Sequence, residues 1–294
     1  MVGGERWRNW GRTVDARFEA VRTPHDEAEL VRLIQSVGLA GGRLRPLGAG
    51  HSFTPLVATE GTSVRLVHFS GVRSVDLARG VVVFGAGTRL HDLPRLLGPY
   101  LLAFPVLGDV DTQTLAGAVS TGTHGTGACF TGLASQVLAL RIVLADGTVV
   151  TCDADQRPEL FQAARVGLGV FGVITEMTLQ CVPAFLLAAV EYPEPLDAVL
   201  ENFGERMSAA DHVEFYWFPH TDVALVKANS RLPLGAGRLP LARWRGFCED
   251  ELVNNGVFGL TCAVGSVVPA VVPMMNRMAT RSSSTDTVGL LMRL

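Results

Sequence analysis

The chain has 294 residues, of which 48% are hydrophobic, enough for one or two domains with a large core. It carries 25 basic and 28 acidic residues, so no positive excess points to nucleic acid, which we do not expect as a partner. The five cysteines form no CxxC pair, which favours reduced thiols in a reducing compartment. Glu5, arginines and tryptophans precede any apolar run, so we predict no secretory signal peptide and a cytoplasmic location.

The first helix is predicted to start at Thr23 and Pro24, because threonine caps helices and proline suits the first helical position. Acidic residues at 26, 27 and 29 would then face the positive end of the helix dipole. Apolar residues follow at helical spacing, namely Leu30, Leu33, Ile34 and Val37. The glycines within residues 38–42 end the helix, and residues 43–47 form a short strand.

That strand runs into a glycine turn, Gly-Ala-Gly-His-Ser-Phe at residues 48–53. Gly48 and Gly50 let the backbone take positive φ and approach a ligand closely. Successive N–H groups in such a turn can form a nest that binds an anion such as pyrophosphate. No helix opens at the turn, which distinguishes it from a Rossmann fingerprint. His51 stands at its tip, either as a group that meets a cofactor or as a turn histidine that bonds the backbone.

The middle of the first half is predicted to hold strands at 64–67, 72–77 and 81–84 and a helix at 88–97 capped by Thr88. A second stretch, Ser-Thr-Gly-Thr-His-Gly-Thr-Gly at 120–127, is too small in its side chains to fill a core. It therefore predicts close approach to a flat or phosphorylated ligand. His124 has no second ligand at metal-binding spacing, so we expect a packed or hydrogen-bonded histidine and no metal.

The next segment reads as a hairpin at 137–152 with an Asp-Gly turn at 146–147, a helix at 158–166 and a strand at 173–182. Residues 167–172 match G-x-G-x-x-G by letters, yet a helix precedes and a strand follows, the reverse of what a dinucleotide loop needs. An NAD-dependent dehydrogenase is therefore the least favoured hypothesis. The backbone at Val173 and Ile174 is expected to lie against a cofactor instead.

The sequence pattern changes from Pro183 onward, which predicts a second domain. It is expected to hold strands at 185–192, 213–218 and 222–228 and a helix at 196–207. Residues 256–275 carry no charge and are long enough to suggest a transmembrane helix. Glycines together with Pro269 and Pro273 oppose that interpretation. We expect a buried helical insertion there, with peripheral contact to a membrane surface as a further hypothesis.

Together these motifs resemble the flavin-binding domain of the vanillyl-alcohol oxidase, or PCMH-type, flavoproteins, and among them the L-gulono-1,4-lactone and D-arabinono-1,4-lactone oxidases. The resemblance runs from about Trp7 to about Met278. Besides the glycine turn it rests on Trp-Arg-Asn-Trp at 7–10, Val-Arg-Thr-Pro at 21–24, and residues 108–117, 120–127, 167–175 and 211–219. It implies an α+β fold, with a PCMH-type FAD-binding domain of two α/β subdomains at 14–183 and an incomplete α+β substrate, or cap, domain at 184–294.

The resemblance also implies a function: an FAD-dependent oxidoreductase that oxidises the CH–OH group of a sugar-1,4-lactone. A polyol substrate, as in alditol oxidase, is the alternative, and the electron acceptor would be oxygen or an electron carrier. His51 would hold FAD covalently through the flavin 8α-methyl group. Gln113, Thr114 and Leu115 occupy the place where some relatives carry a second flavin-linking cysteine, so a single link is expected.

The same resemblance assigns further cofactor-binding residues: Gly48, Ala49, Gly50, Ser52, Phe53, Asp109, Thr114, Gly117, Ser120, Thr121, Thr123, His124, Gly125, Gly172 and Ile174. For Asp109 the alternative is a carboxylate that caps a turn. For Thr114 and Ser120 it is a hydroxyl that bonds the backbone.

Relatives of this family continue for roughly another third of their length, judged by domain size. That part carries a Glu/Arg pair and a final His-Trp-Gly-Lys segment on the substrate side of the flavin. We therefore expect the catalytic residues outside these 294 residues and assign none. A catalytically impaired flavin-binding fragment is the second functional hypothesis.

Overall fold

The computed structural model describes residues 4–237, 258–279 and 285–290. They form two compact units. The first contains residues 4–125 and Thr131–Pro183, and the second contains Thr126–Phe130 and the described residues from Ala184 onward. The sequence pattern does not predict that Thr126–Phe130 belongs to the second unit.

The first unit begins with a two-stranded hairpin of β1 (Glu5–Arg8) and β2 (Asp15–Phe18). Asp15 on β2 accepts hydrogen bonds from Arg6 and Arg8 on β1, and the Trp7 ring lies against Phe18 with the ring centres 5.7 Å apart. Phe18 is fully buried, so the hairpin is anchored in the core on one side.

A small parallel sheet follows, in which β5 (Thr62–Val64) lies between β3 (Ala20–Arg22) and β4 (Leu44–Pro46). Helix α1 (Glu27–Leu39) packs Leu30 and Ile34 into the core beside it. The predicted cap at Thr23 is wrong. Asp26 caps the helix, since its Oδ1 accepts a hydrogen bond of 2.7 Å from Glu29 N, and a carboxylate is a stronger acceptor than a threonine hydroxyl.

A five-stranded antiparallel sheet forms the larger part of the first unit. Its strand order is β10 (Val149–Asp153), β9 (Val137–Val143), β11 (Val173–Gln180), β7 (Val81–Gly85) and β6 (Val72–Asp76). The predicted hairpin between β9 and β10 is confirmed: Gly147 has φ +85°, and Asp146 accepts from Thr148 N at 2.7 Å. Phe84, Leu140 and Met177 are buried on the core side of this sheet.

Three short helices cover the sheet: α2 (Leu93–Leu97), α3 (Leu115–Ser120) and α4 (Pro158–Arg165). The helix predicted at 88–97 is divided into a 3-10 turn and α2. Thr88 does not cap it, because its hydroxyl donates to Gly85 O and accepts from Gly71 N. Helix α3 was not predicted. A two-residue pairing of β8 (Leu102–Ala103) with β12 (Val182–Pro183) closes the unit.

A polar contact joins helix α1 to the five-stranded sheet. Arg141 on β9 forms a two-point ion pair with Glu27 on α1, and Thr175 on β11 donates to Glu27 at 2.9 Å. Partial burial raises the pKa of Glu27, but the hydrogen bonds from Arg141 and Thr175 outweigh it and leave the pKa below its ordinary value.

The second unit contains a four-stranded antiparallel sheet. The strand order is β14 (His212–Trp217), β15 (Val223–Leu232), β13 (Leu186–Pro195) and β16 (Thr285–Leu290). The predicted helix at 196–207 is interrupted at Asn202 and becomes α5 (Leu196–Glu201) and α6 (Phe203–Ala209). Val199, Ala224 and Val226 form a buried cluster between α5 and the sheet.

Thr126–Phe130 is held within the second unit by side chains of its sheet. His212 Nδ1 lies 2.8 Å from Thr126 O, and the His212 ring stacks on Phe130 with the centres 4.8 Å apart. The Arg231 guanidinium lies 4.2 Å from the centre of the Phe130 ring and 4.3 Å from that of Phe185.

The apolar run predicted as an insertion is helical where it is described, as α7 (Phe258–Val267) and α8 (Val272–Ala279). Residues 256 and 257 of the run lie outside the described residues. The expected burial is wrong for these helices, because Leu260 is 66% exposed and Val267 is 79% exposed. Among the described helices, none is both long enough and apolar enough to cross a bilayer.

Candidate functional site

A cavity in the first unit brings the two predicted glycine-containing stretches together. It contains about 990 Å³ of space, with open solvent at its mouth included. The predicted residues that line it are Gly48, Ala49, Gly50, His51, Ser52, Thr114, Gly117, Ser120, Thr121, Gly172 and Ile174. A site for one extended ligand is therefore formed by segments far apart in the sequence.

The glycine turn forms the first wall. It follows β4 directly, and Gly50 takes a φ of +76°, which side chains with a Cβ rarely adopt. A Cβ at Gly50 would lie 2.7 Å from the Trp7 ring, and one at Gly48 would lie 2.6 Å from Thr114 Oγ1. Both glycines are therefore needed for this turn to pack on its neighbours and leave the cavity open.

Helix α3 forms the second wall. Thr114 is its N-cap, with Oγ1 accepting from Gly117 N at 3.3 Å, and Thr121 Oγ1 donates to Gly117 O at 2.9 Å. Thr114 thus makes the backbone bond that was its alternative role, while still lining the cavity. Ala116 also lines the cavity, whereas Ala118 is buried in the core.

The segment between α4 and β11 forms the third wall. Gly169 and Gly172 have φ values of +72° and +142°, and a Cβ at Gly172 would lie 2.4 Å from Val143 O. The order helix, loop, strand is as predicted, which confirms that residues 167–172 do not form a dinucleotide loop opening a helix.

Three predicted residues lie away from the cavity wall near the end of the second stretch. Thr123 Oγ1 accepts from Gln113 Nε2 at 3.2 Å, and the exposed His124 places Nδ1 3.0 Å from Gly125 O. A Cβ on Gly125 would lie 2.3 Å from Leu107 O, so this glycine permits close packing of two chain segments. Cofactor contact by these three residues stays a prediction.

Two further predicted residues also lie outside the cavity lining. Phe53 follows the turn, is 62% exposed and meets the Trp10 ring edge-on. Asp109 is exposed. Their cofactor roles likewise stay predictions.

His51 lines the cavity and has two close partners outside the glycine turn. Its Nε2 lies 2.6 Å from Thr112 Oγ1, and its ring stacks on Trp10, with centres 5.4 Å apart and planes 23° apart. Thr112 falls within the 108–117 motif, but the sequence assigns no role to this hydroxyl.

The N-terminal hairpin holds the glycine turn by its backbone. Trp10 N donates to Gly50 O at 2.9 Å, and Asn9 Nδ2 donates to Ser52 O at 2.9 Å. Thr13 Oγ1 donates to Phe53 O, also at 2.9 Å. The sequence offered one signal for this contact, the two tryptophans at residues 7 and 10, but it gave no indication of what they touch.

An adjoining cavity shares Gly48, Ala49 and Thr114 with the first and adds two cations, Arg65 and Arg89. Positive charge next to a glycine turn favours phosphate, since charge-assisted hydrogen bonds are about twice as strong as neutral ones. The backbone N–H groups of the turn and the two arginines therefore suit a pyrophosphate, and the apolar part of the cavity lining suits flat rings.

Comparison with known proteins agrees with this geometry. A family model described as FAD binding domain matches residues 18–153, and one described as D-arabinono-1,4-lactone oxidase matches residues 177–290. L-gulono-1,4-lactone dehydrogenase of Mycobacterium tuberculosis is 36% identical over 283 residues, which are 96% of this chain and 64% of that protein. The chain belongs to this family of FAD-linked lactone oxidoreductases.

Two other proteins extend the comparison. L-gulonolactone oxidase of Mus musculus is 35% identical over 219 residues, 74% of this chain and 50% of that protein. Cholesterol oxidase from Brevibacterium sterolicum superposes with a TM-score of 0.78 at 18% identity, covering 97% of this chain and 60% of that structure. The expected α+β, PCMH-type fold is thereby confirmed, and the chain spans less than two thirds of the length of these family relatives.

FAD is the cofactor of this family, and the cavity suits it. Gly48, Gly50, Gly117 and Gly172 line the cavity without side chains, and a Cβ at each would come within 3 Å of a neighbouring protein atom. Most of the remaining lining is apolar or small, as cofactor sites usually are.

Proposed function

We propose that this chain holds FAD in the cavity of the first unit and serves in the oxidation of the CH–OH group of a sugar-1,4-lactone, of the D-arabinono or L-gulono type. The observation that supports this most is the convergence of the glycine turn, helix α3 and the loop before β11 around one cavity, in a chain with a matching FAD binding domain. Bound FAD supplies the redox chemistry by accepting a hydride and passing electrons on.

The residues of the site have separate tasks in this proposal. Backbone N–H groups of the turn at 48–52 bind the pyrophosphate, and Arg65 and Arg89 add positive charge beside it. The hydroxyl of Ser120 would donate to the cofactor, and Thr121 Oγ1, whose hydrogen is donated to Gly117 O, would accept from it. The backbone near Ile174 would contact the adenine. All of these contacts orient the cofactor, which is the part of the reaction that the protein contributes.

His51 is the residue that we propose to carry FAD covalently. It lines the cavity, and its ring contacts Thr112 and Trp10. These contacts restrict the ring before the bond forms, so less conformational freedom is lost on forming it. The link would join an imidazole nitrogen of His51 to the flavin 8α-methyl carbon, with loss of one hydrogen from each and with dioxygen as the two-electron oxidant.

The electron acceptor in turnover is oxygen or an electron carrier. Relatives of this chain carry both names, dehydrogenase in Mycobacterium tuberculosis and oxidase in Mus musculus. Ala116, which lines the cavity with no bulk beyond a methyl group, leaves space for oxygen on that wall. A polyol in place of the lactone is the alternative substrate.

The covalent link is tested by replacing His51 with alanine. We expect purified wild-type protein to keep its yellow colour after acid precipitation, and His51→Ala to release its flavin into the supernatant while still binding it before precipitation. His91→Ala, an exposed histidine of the first unit away from the cavity, is the matched control. Flavin retained in the precipitate of His51→Ala would contradict the assignment.

The reaction is tested by mixing the flavin-loaded protein anaerobically with L-gulono-1,4-lactone, D-arabinono-1,4-lactone or an alditol. We expect one lactone to bleach the flavin absorbance, slowly for a polypeptide of these 294 residues. No catalytic base is assigned among these residues, and a general base contributes roughly 10²–10⁴ in rate, which sets the scale of the expected slowing. Rapid bleaching would show that the catalytic groups are already present, and no bleaching by any of the three would overturn the reaction assigned to this polypeptide.

A further inference from the structure

Thr112 stands outside the cavity lining but touches the residue that we propose to carry the cofactor. Its Oγ1 lies 2.6 Å from His51 Nε2, a short distance for a hydrogen bond between a hydroxyl and an imidazole. Thr112 does not line the cavity itself, so its hydroxyl reaches the site through His51, while its backbone carbonyl binds Arg89.

The backbone of Thr112 is fixed from the neighbouring segment. Arg89 donates from its guanidinium to Thr112 O at 2.7 Å. On either side of the threonine, Leu90 N donates to Gln113 O at 3.0 Å and His91 N donates to Asp111 O at 2.9 Å. These bonds fix the backbone from which the exposed Thr112 side chain reaches His51.

The imidazole of His51 has contacts on one ring face and at one ring nitrogen. Trp10 stacks on the ring, and Trp10 N is itself bonded to Gly50 O in the same turn. Thr112 holds the edge at Nε2. Nδ1 is thus the ring nitrogen left for another partner.

We infer that Thr112 is a positioning residue that sets the tautomer of His51. In the tautomer that we propose, the hydroxyl accepts a hydrogen bond from Nε2–H, which keeps the proton on Nε2 and the lone pair on Nδ1. A nitrogen needs that lone pair to form a bond to carbon, and the opposite tautomer would block it. This inference rests on the proposed function, in which His51 carries the flavin, and adds the group that prepares His51 for it.

The first test compares Thr112→Val, which keeps the shape and removes the hydroxyl, with Thr112→Ser, which restores the hydroxyl. The measured quantity is the fraction of bound flavin that stays with the polypeptide after acid precipitation, in protein purified at fixed times after induction. We expect Thr112→Val to lower the rate of covalent incorporation about five- to ten-fold, the factor that one hydrogen bond is worth. Thr112→Ser should stay within about two-fold of wild type, and total bound flavin should be unchanged in both.

Thr151→Val, on strand β10, is the matched control for loss of a threonine hydroxyl. Covalent incorporation at the wild-type rate in Thr112→Val would overturn the inference. So would an equal loss in the valine and serine variants together with a loss of total flavin, since that pattern belongs to a structural role.

A second measurement separates failure of this inference from failure of the covalent link. If wild-type protein binds flavin without a covalent bond, ¹⁵N NMR of the histidine-labelled protein still reports the His51 tautomer. Protonated Nε2 in wild type and a mixture of tautomers in Thr112→Val would support the role of Thr112. The same tautomer population in both proteins would overturn it, whatever the state of the flavin.

Discussion

The two glycine-containing stretches look alike in composition but do different things in the structure. Every residue of 48–52 lines the cavity. In the second stretch only Ser120 and Thr121 do so among residues 120–127, and the chain beyond Gly125 enters the second unit. Close packing requires glycines in both places, but in the first stretch they also line the cavity, and Gly50 has a positive φ.

Gly50 and Gly125 show the difference most directly. Gly50 has a positive φ and lies on the cavity, while Gly125 packs its Cα against the Leu107 carbonyl away from it. Composition alone predicts the same reason for both glycines. A small residue therefore indicates that something comes close, but it does not tell whether that is a ligand or the protein itself.

The largest expected effect comes from placing valine at these two positions. Gly125→Val should lower the free energy of unfolding by about 3 kcal/mol, because the new atoms meet a backbone carbonyl that cannot move alone. The folded protein should keep its flavin-to-protein ratio. Gly50→Val should instead lower that ratio about ten-fold or more, because backbone strain of roughly 1–3 kcal/mol deforms the turn itself. Thermal unfolding measures the stability, and flavin absorbance measures the flavin-to-protein ratio. Equal loss of flavin in both variants would show that the two glycines do not differ in their relation to the cofactor.

A second, smaller effect is expected where the second stretch enters the second unit. Phe130 lies between the His212 ring and the Arg231 guanidinium. Phe130→Leu should destabilise the second unit by about 1–2 kcal/mol through loss of the ring stack and the cation–π contact. Flavin content should not change, since Phe130 does not line the cavity. Calorimetry combined with flavin absorbance checks this, and a loss of flavin without a loss of stability would show that Phe130 belongs to the cofactor site.

Much of the framework could be predicted from the sequence, because local chemistry decides it. The turn at Asp146 and Gly147 needs a positive φ at one residue and an acceptor beside it, and both are visible in the sequence. The start of α1 was misplaced because two capping residues compete there, and the carboxylate of Asp26 wins over the hydroxyl of Thr23.

The parts of the site that could not be predicted depend on contacts between distant segments. The glycine turn is held by Asn9 and Trp10, and His51 is held by Thr112, more than sixty residues later in the chain. These partners fall within stretches that resemble the family, at residues 7–10 and 108–117, but the stretches do not indicate what each side chain contacts. Helix α3 escaped prediction for a similar reason: it is short, rich in small residues, and stabilised by the Thr114 cap and by packing on the sheet.

The third wall of the cavity differs from both glycine stretches because an ion pair supports it. Thr175, next to Ile174 of the wall, donates to Glu27, which also binds Arg141. The side chain of Glu27 is 26% exposed and that of Arg141 is 41% exposed, so solvent screens the pair and its contribution should be about 1 kcal/mol. Unlike the effect of a glycine, this contribution should depend on pH.

The smallest expected effect is therefore the pH dependence of Glu27→Gln. The pKa of Glu27 is lowered in the folded state from its ordinary value of 4.5, so the folded protein favours the charged form. The stabilisation is fully present above that value and is lost as the pH falls through the folded pKa, because both the folded and the unfolded chain are then protonated. Wild type should exceed Glu27→Gln in unfolding free energy by about 1 kcal/mol at pH 7, and the difference should shrink below pH 4.5. Urea unfolding at several pH values measures it, with Glu159→Gln at the start of α4 as the matched control. A difference that stays constant down to acid pH would mean that shape and hydrogen bonding at residue 27, rather than its charge, hold this wall in place.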